Sequence, residues 1–358
     1  MIVTHPPESS SIWTEFEYQG RPFVRGTVPR GDNQGLSFTI ASRLAGRYEV
    51  KRFFASGGCG LIMQGRDLQT DTDVLIKTTL RYDVVYYAQG RDEDGFFQKV
   101  KQTRQQLQTE RRIMVLLKNL GCNAIPNPND YVFDWNPQLA GPYTTSDGRT
   151  WSYDDESMLS SEPYLVMEFV EGTPLTDKIG PGIDERRALA VMREVCYVLQ
   201  VLQQSATRGR SVWKLIYQDL KPDNIIIGNQ DATSLLDFGG CRLTVDGRIA
   251  NQGAYTPGYC PPECDAGELT AAADSYTVGS TLYHILTGKS PATFLASELV
   301  GTGPKSVKYE NWDWTHLKSR VSRETVWLIQ RCLQSRHQDR PAGAAELSQE
   351  LEALLKQL

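Results

Sequence analysis

Two apolar patterns divide the chain. From Tyr48 to Thr79 apolar residues come in short runs, YEVKRFF, LIMQGRD and DVLIKTT, with glycines between the first two. This pattern predicts an antiparallel sheet. Ahead of it, residues 1–45 are mixed polar, and FEYQGRPFV alternates enough for one hairpin strand. Residues 81–99 are polar and aromatic and read as an insertion. A helix is predicted from about Lys101 to Asn119, with Gly121 as its C-cap. Strands follow near YVFDW and YLVMEFV. The turn-rich stretch between them, about 134–162, is too long for an ordinary hairpin loop and reads as an excursion from the sheet. From Asp184 the period becomes helical: Leu189, Met192, Val195, Leu199 and Leu202 share one face. DSYTVGSTLYHILTG, SRETVWLIQRCLQ and AAELSQELEALL predict three more helices, and no internal repeat is visible.

Composition narrows the class. The chain has 358 residues, 40% hydrophobic and 23% charged, enough for a large core and about two domains. A net charge of -5 offers no bulk basic field, so no nucleic acid partner is expected. The seven cysteines are scattered and form no C-x-x-C, which points to a reducing, cytoplasmic compartment and away from a zinc site. No apolar run approaches the ~20 residues of a membrane span, and no signal-peptide pattern is present, so no membrane partner is expected for this chain.

Polar residues placed against this pattern carry the chemistry. Ser56–Gly60 is a glycine-dense turn between two strands. It fits a plain β-turn or a loop whose N–H groups face an anion. Lys77 shares a strand face with Leu75 and faces either solvent or an inner anionic partner. Glu110 is spaced with Leu107, Met114 and Leu117 in an apolar helical stripe, where a carboxylate is costly unless paired. Lys77 is the obvious partner, unless Glu110 reaches water at the stripe's edge. In LIYQDLKPDNIII, five charged or amide residues sit between two apolar runs. Asp219 could accept a hydroxyl proton, Lys221 could neutralise a phosphate, and the Asn224 carbonyl could bind a metal. Asp237 follows 18 residues after Asp219, behind a short apolar strand, where a carboxylate suits Mg2+.

Taken together, residues 46–358 resemble the eukaryotic-type (Hanks-type) Ser/Thr protein kinases, including their bacterial branch, with motifs in family order. The resemblance implies an α+β, bilobal protein-kinase-like fold. A small β-rich N-lobe with one main helix would span 46–170, and a larger α-helical C-lobe 171–358. Residues 1–45 would be an N-terminal extension. It further implies ATP bound under the loop Ala55, Ser56, Gly57, Gly58, Cys59 and Gly60, with Ala55 standing in the first glycine position. Lys77 would hold the α- and β-phosphates and Glu110 would hold Lys77. Met167 would be the gatekeeper of a hinge, Glu168, Phe169 and Val170, and the adenine would lie among Ile62, Leu75 and Ile226. Asp219 takes the catalytic base position and Lys221 the γ-phosphate contact. Asn224 and Asp237 take the metal positions, for two Mg2+ ions with Mn2+ as a substitute.

TPGYCPPE at 256–263 resembles the family's A-P-E segment, with Glu263 expected to pair with Arg340, and Asp274, Tyr276 and Gly279 match its D-x-W-x-x-G helix start. Lys221 and Thr256 follow the Ser/Thr rather than the tyrosine pattern. The family's H-R-D is here Tyr217-Gln218-Asp219, and Gln218 cannot do the arginine's electrostatic work. In the family that arginine pairs with a phosphate on the activation segment. The implied activity is Mg-dependent phosphoryl transfer from ATP to serine or threonine of a protein substrate, in signalling. Regulation by a partner would act at the extension or the insertions. The departures at Ala55, Leu75, Tyr217 and Gln218 keep a second reading open, a pseudokinase scaffold that binds nucleotide. A small-molecule kinase of antibiotic-phosphotransferase type would lack TPGYCPPE and the Glu263–Arg340 pair.

Overall fold

The computed structural model describes residues 14–18, 20–28, 36–57, 60–79, 93–135, 143–144, 150–151, 161–180, 183–204, 206–208, 210–251, 255–265, 269–295 and 306–358. The chain divides into two compact units, residues 1–112 with 127–169 and residues 113–126 with 170–358.

The first unit is built on two antiparallel sheets. Strands β1 (Thr14–Tyr18), β2 (Arg21–Val28) and β3 (Leu36–Ala41) form one, in the order β1-β2-β3. The single hairpin strand expected from FEYQGRPFV is thus two strands around the turn at Gly20, joined by a third. The second sheet contains β4 (Arg43–Leu44), β5 (Tyr48–Gly57), β6 (Gly60–Asp67) and β7 (Thr72–Thr79), followed by helix α1 (Glu93–Asn119) and β8 (Asp130–Trp135). A two-residue ladder, β9 (Tyr143–Thr144) with β10 (Thr150–Trp151), lies within the expected 134–162 excursion. Strand β11 (Ser161–Glu168) returns between β7 and β8, giving the order β4-β5-β6-β7-β11-β8.

The two sheets share one core. Phe23, Val24, Ile40 and Ala41 of the small sheet cluster with Leu44, Tyr48, Val50, Leu61, Met63, Val74, Ile76, Tyr164 and Val166 of the large one. Asp134 on β8 fastens the junction, accepting from Arg21 Nη2 at 2.7 Å and from the Ala45 amide at 2.7 Å. Strands β1–β3 are therefore built into the body of the first unit.

Helix α1 begins at Glu93, eight residues before the sequence reading placed it, because residues 93–99 mix polar and aromatic positions without the apolar spacing that marks a helix face. Its apolar stripe is as expected: Leu107, Met114 and Leu117 are buried, and so is Glu110.

The second unit is mostly helical. It opens with β12 (Thr173–Pro174) and α2 (Glu185–Leu202), whose first turn is capped by the Asp184 carboxylate accepting from the Arg187 amide at 2.7 Å. Short strands follow: β13 (Ala206–Arg208), β14 (Ser211–Ile216), β15 (Ile225–Ile227), β16 (Thr233–Leu235), β17 (Arg242–Val245) and β18 (Arg248–Ile249). They form two small sheets, β12-β15-β16 and β13-β14-β17-β18. The remaining helices are α3 (Ala272–Thr287), α4 (Trp314–Lys318), α5 (Arg323–Cys332) and α6 (Ala344–Gln357). All but one of the α3 residues are buried, as its apolar sequence predicts. Gly279 lets α5 come close, since a Cβ there would lie 2.5 Å from Cys332 Cβ. Among the described residues, no helix is long and apolar enough to cross a membrane.

Replacing Phe23 with alanine should destabilise the first unit by about 3–5 kcal/mol, the usual cost of emptying a buried aromatic site. Denaturant unfolding measures this, and an unchanged midpoint would show that the small sheet is not part of the core.

Candidate active site

In the first unit, strand register lines up residues distant in sequence. Lys77 pairs with Ile62 on β6 and with Leu165 on β11, while Leu75 pairs with Met167. Directly paired residues, and residues two apart on a strand, share a face. Ile62, Leu75, Lys77 and Met167 therefore occupy one face of the sheet. Ala55 pairs with Ile62, and Gly57 with Gly60 closes the β5–β6 turn. The tip, Gly58 and Cys59, lies outside the described residues.

Lys77 and Glu110 are both buried, and Lys77 Nζ lies 2.9 Å from each Glu110 carboxylate oxygen. The alternatives in which either side chain reaches water do not hold. A second ionic anchor of α1 sits less than two turns earlier, where Arg104 Nη2 donates to Glu162 Oε2 at 3.1 Å and Glu162 also accepts from Thr79 Oγ1. Glu168 points away from the Lys77 face, since its strand partner is Val74. Its carboxylate accepts from Asn127 N at 3.0 Å and Asn127 Nδ2 at 2.8 Å. Phe169 and Val170 follow the strand's end and are half-buried.

In the second unit the polar stretch 217–224 folds into a compact cluster. Lys221 Nζ donates to Asp219 Oδ2 at 2.8 Å and to Thr256 Oγ1 at 2.7 Å, and Thr256 Oγ1 donates to Asp219 Oδ1 at 2.6 Å. Burial pushes the Asp219 carboxyl above its ordinary range, with Lys221 and Thr256 pulling back. Burial disfavours the Lys221 cation, but Asp219, with Asp237 and Asp223, outweighs this and its pKa is raised. The site thus holds a carboxylate and an ammonium in contact, bridged by a hydroxyl.

The β15–β16 hairpin explains how Asn224 and Asp237 meet. Ile225 pairs with Leu235, so Asn224 lies beside Leu236, and the Leu236 amide donates to Asn224 O at 2.8 Å. Asp237 comes next, in a left-handed conformation (φ 59). Asn224 Nδ2 donates to Asp219 O at 2.8 Å, which leaves its carbonyl oxygen as the acceptor that a metal can use. Ile226, on the same hairpin, is buried. Tyr217 is buried against Phe238, with ring centroids 5.5 Å apart, and its hydroxyl donates to Leu236 O.

Sequence reasoning named Thr256 and Asp274 only as motif positions, without these contacts, and missed Arg242. Thr256 bridges Asp219 and Lys221, although the Lys221/Thr256 pattern already paired these residues. Asp274 accepts from the Tyr217 and Gln218 amides at 3.2 and 2.9 Å, a contact across more than 50 residues that no local pattern shows. Arg242 donates to Gln218 Oε1 at 2.9 Å and had no signal beyond being a charged residue in a short strand. The expected Glu263–Arg340 pair is bidentate, at 2.6 and 2.9 Å, with the Arg340 side chain fully buried.

A sequence profile of the protein kinase domain matches residues 148–351. The chain belongs to this family. Serine/threonine-protein kinase PknB of Mycolicibacterium smegmatis is 28% identical over 281 residues, covering 76% of this chain and 36% of the relative. Serine/threonine-protein kinase Pkn1 of Myxococcus xanthus is 31% identical over 209 residues, 54% of this chain and 28% of that protein. Serine/threonine-protein kinase F of Synechocystis sp. is 28% identical over 339 residues, 90% of this chain and 60% of that protein. The chain thus spans about a third of the length of the PknB relatives.

Lys77→Met should destabilise the first unit by about 3 kcal/mol or more, because a buried carboxylate loses its cation. Adding Glu110→Met should return most of that stability without restoring nucleotide binding. Thermal unfolding and calorimetric titration with ATP separate the two effects; a double variant no more stable than Lys77→Met would contradict the pairing energetics.

Proposed function

We propose that this chain transfers the γ-phosphoryl group of ATP to serine or threonine hydroxyls of protein substrates. The observation that carries this reading is the Asp219–Lys221–Thr256 triangle, set beside the hairpin end that presents Asn224 and Asp237. The names of the relatives and the family membership support it.

The donor set fits a divalent cation. The Asn224 carbonyl and Asp237 carboxylate are the hard oxygen ligands Mg2+ prefers. Among the described residues there is no group of three His, Cys, Asp or Glu that could hold a metal. Two protein ligands leave the remaining positions to phosphate oxygens and water, as expected for Mg2+ held together with a nucleotide. When bound, Mg2+ neutralises phosphate charge. Two ions, one centred on Asp237 and one shared with Asn224, are our finer proposal.

The chain's own residues then take the following parts. Lys77, fixed by Glu110, holds the α- and β-phosphates, and Ile62, Leu75 and Met167, on the same sheet face, contact the base. Asp219 orients the acceptor hydroxyl and takes its proton as that oxygen bonds to the γ-phosphorus and the bond to the bridging oxygen of ADP breaks. Lys221 balances the charge on the transferred group, and Thr256 keeps Lys221 and Asp219 in register. Catalysis of this kind rests on positioning and charge neutralisation.

We assign the extension to residues 1–45, the N-lobe to 46–170 and the C-lobe to 171–358. Regulation is placed at the extension or the two insertions. Cys122, Cys196 and Cys332 stand as buried free thiols, which suits a cytoplasmic setting.

Asp237→Ala should abolish Mg-ATP-dependent transfer. Asp219→Asn should keep ATP affinity while lowering turnover by about 10²-fold or more. Radiolabelled ATP with a generic acceptor protein, read beside calorimetry, tests both. Wild-type turnover in Asp219→Asn would remove the assigned base.

A further inference from the structure

The turn that delivers Asp219 is held from several sides. Gln218 has φ 66, a left-handed conformation that strains a residue other than glycine. Across it the Asp219 amide donates to Tyr217 O at 2.9 Å, closing a three-residue turn of the strained kind. Asp274 holds the two amides on the N-terminal side. The Gln218 side chain is fully buried, and its other contact is with Arg242.

Arg242 lies on β17, opposite Ile216 on β14, two residues before Gln218. Its Nε donates to Gln218 Oε1 at 2.9 Å, and its Nη1 donates to Asn251 O at 3.0 Å. Asn251 in turn clasps both chain neighbours of Arg242. Its Oδ1 accepts from the Leu243 amide at 2.6 Å, and its Nδ2 donates to Cys241 O at 3.0 Å. One guanidinium therefore connects the strained turn, a β-strand and the start of the segment that leads to Thr256.

The charge at position 218 decides what this arrangement needs. A cation there would face the Arg242 guanidinium at hydrogen-bond distance in a buried site, and an anion would have to lie between them. Gln218 instead supplies a neutral acceptor directly. Its Nε2 has no hydrogen-bond partner among the described residues, so the amide is oriented by what its oxygen accepts. Thr244, a hydroxyl between Arg242 and Asn251, is buried and donates to Lys214 O at 3.4 Å, which makes it a poor acceptor of phosphate.

We infer that Gln218, Arg242 and Asn251 form a built-in brace that sets the Asp219 turn without a phosphate on the segment, with Arg242 and Asn251 as positioning residues. This rests on the phosphotransfer reading above. The effect of Arg242 on Asp219 travels through Gln218 and the backbone of the turn.

The test uses the full chain, phosphatase-treated, with two independent readouts. In radiolabelled transfer to a generic acceptor, Arg242→Gln should lower kcat about tenfold or more, with KM for ATP within about twofold, since misplacement of a catalytic group by about 1 Å costs up to ~10²-fold. Gln218→Leu should behave alike, and Gln218→Glu, which keeps an acceptor for Arg242, should recover most of the loss. Phosphatase treatment alone should leave the initial rate unchanged. In amide hydrogen exchange, Arg242→Gln and Asn251→Ala should speed exchange in residues 215–221 as well as 241–251.

Exchange that rises only in 241–251 overturns the brace even if the chain transfers no phosphate, whereas absence of transfer by the unmutated chain defeats only the kinase reading. Wild-type kcat in Arg242→Gln, or a large loss after phosphatase treatment, also overturns it. Should Arg242→Gln fail to fold, Asn251→Ala decides the same point, because it leaves the guanidinium in place.

Discussion

A single buried carboxylate organises the second unit. Asp274, near the start of α3, accepts from the Tyr217 and Gln218 amides and from Gln203 Nε2, the last at 2.7 Å. Gln203, at the end of α2, passes the connection on, because its Oε1 accepts from the Ala344 amide at 2.9 Å where α6 begins. Three helices and the turn before Asp219 thus meet at two linked side chains, Asp274 and Gln203. Burial pushes the Asp274 carboxyl up to about 6, while the three donors work in the opposite direction. The strained turn at Gln218 persists because the structure around it supplies these donors in fixed positions.

Each unit also keeps a buried ion pair where two distant elements must hold register. Lys77 with Glu110 joins a strand to a helix in the first unit, and Arg340 with Glu263 joins the end of the chain to the Pro-Pro-Glu segment in the second. Arg340 is further satisfied by carbonyls of Gln334 and Ser335, at 2.7 and 2.9 Å, and its guanidinium lies 5.0 Å from the centre of the Tyr276 ring. Such pairs add little net stability over apolar residues of the same shape, but removing one partner is costly. They define which arrangement the chain can adopt more than how tightly it adopts it.

What the sequence reveals follows from the range of each interaction. Helical stripes, caps and the Lys77–Glu110 pair are legible because spacing and burial cost can be read locally. The Asp219, Asn224 and Asp237 set is legible because few structural needs put those residues between apolar runs. Thr256, Asp274 and Arg242 reach the site through contacts spanning 24 to 57 residues, which periodicity does not encode. The small sheet escaped notice for another reason. Its strands carry few apolar residues each, and Phe23, Val24 and Ile40 gain meaning only against a core supplied by residues far along the chain.

That shared core bears on the order of events during synthesis. Phe23 and Val24 belong to the same apolar cluster as Tyr164 and Val166, so the earliest strands cannot bury their inner face until β11 has been made. Arg21 likewise waits for Asp134, 113 residues later. Long-range closure of this kind is slow and leaves unpaired strand edges exposed meanwhile. The β1–β3 segment is therefore expected to close onto its core only once β11 has left the ribosome, and until then its apolar face is a natural client for a chaperone.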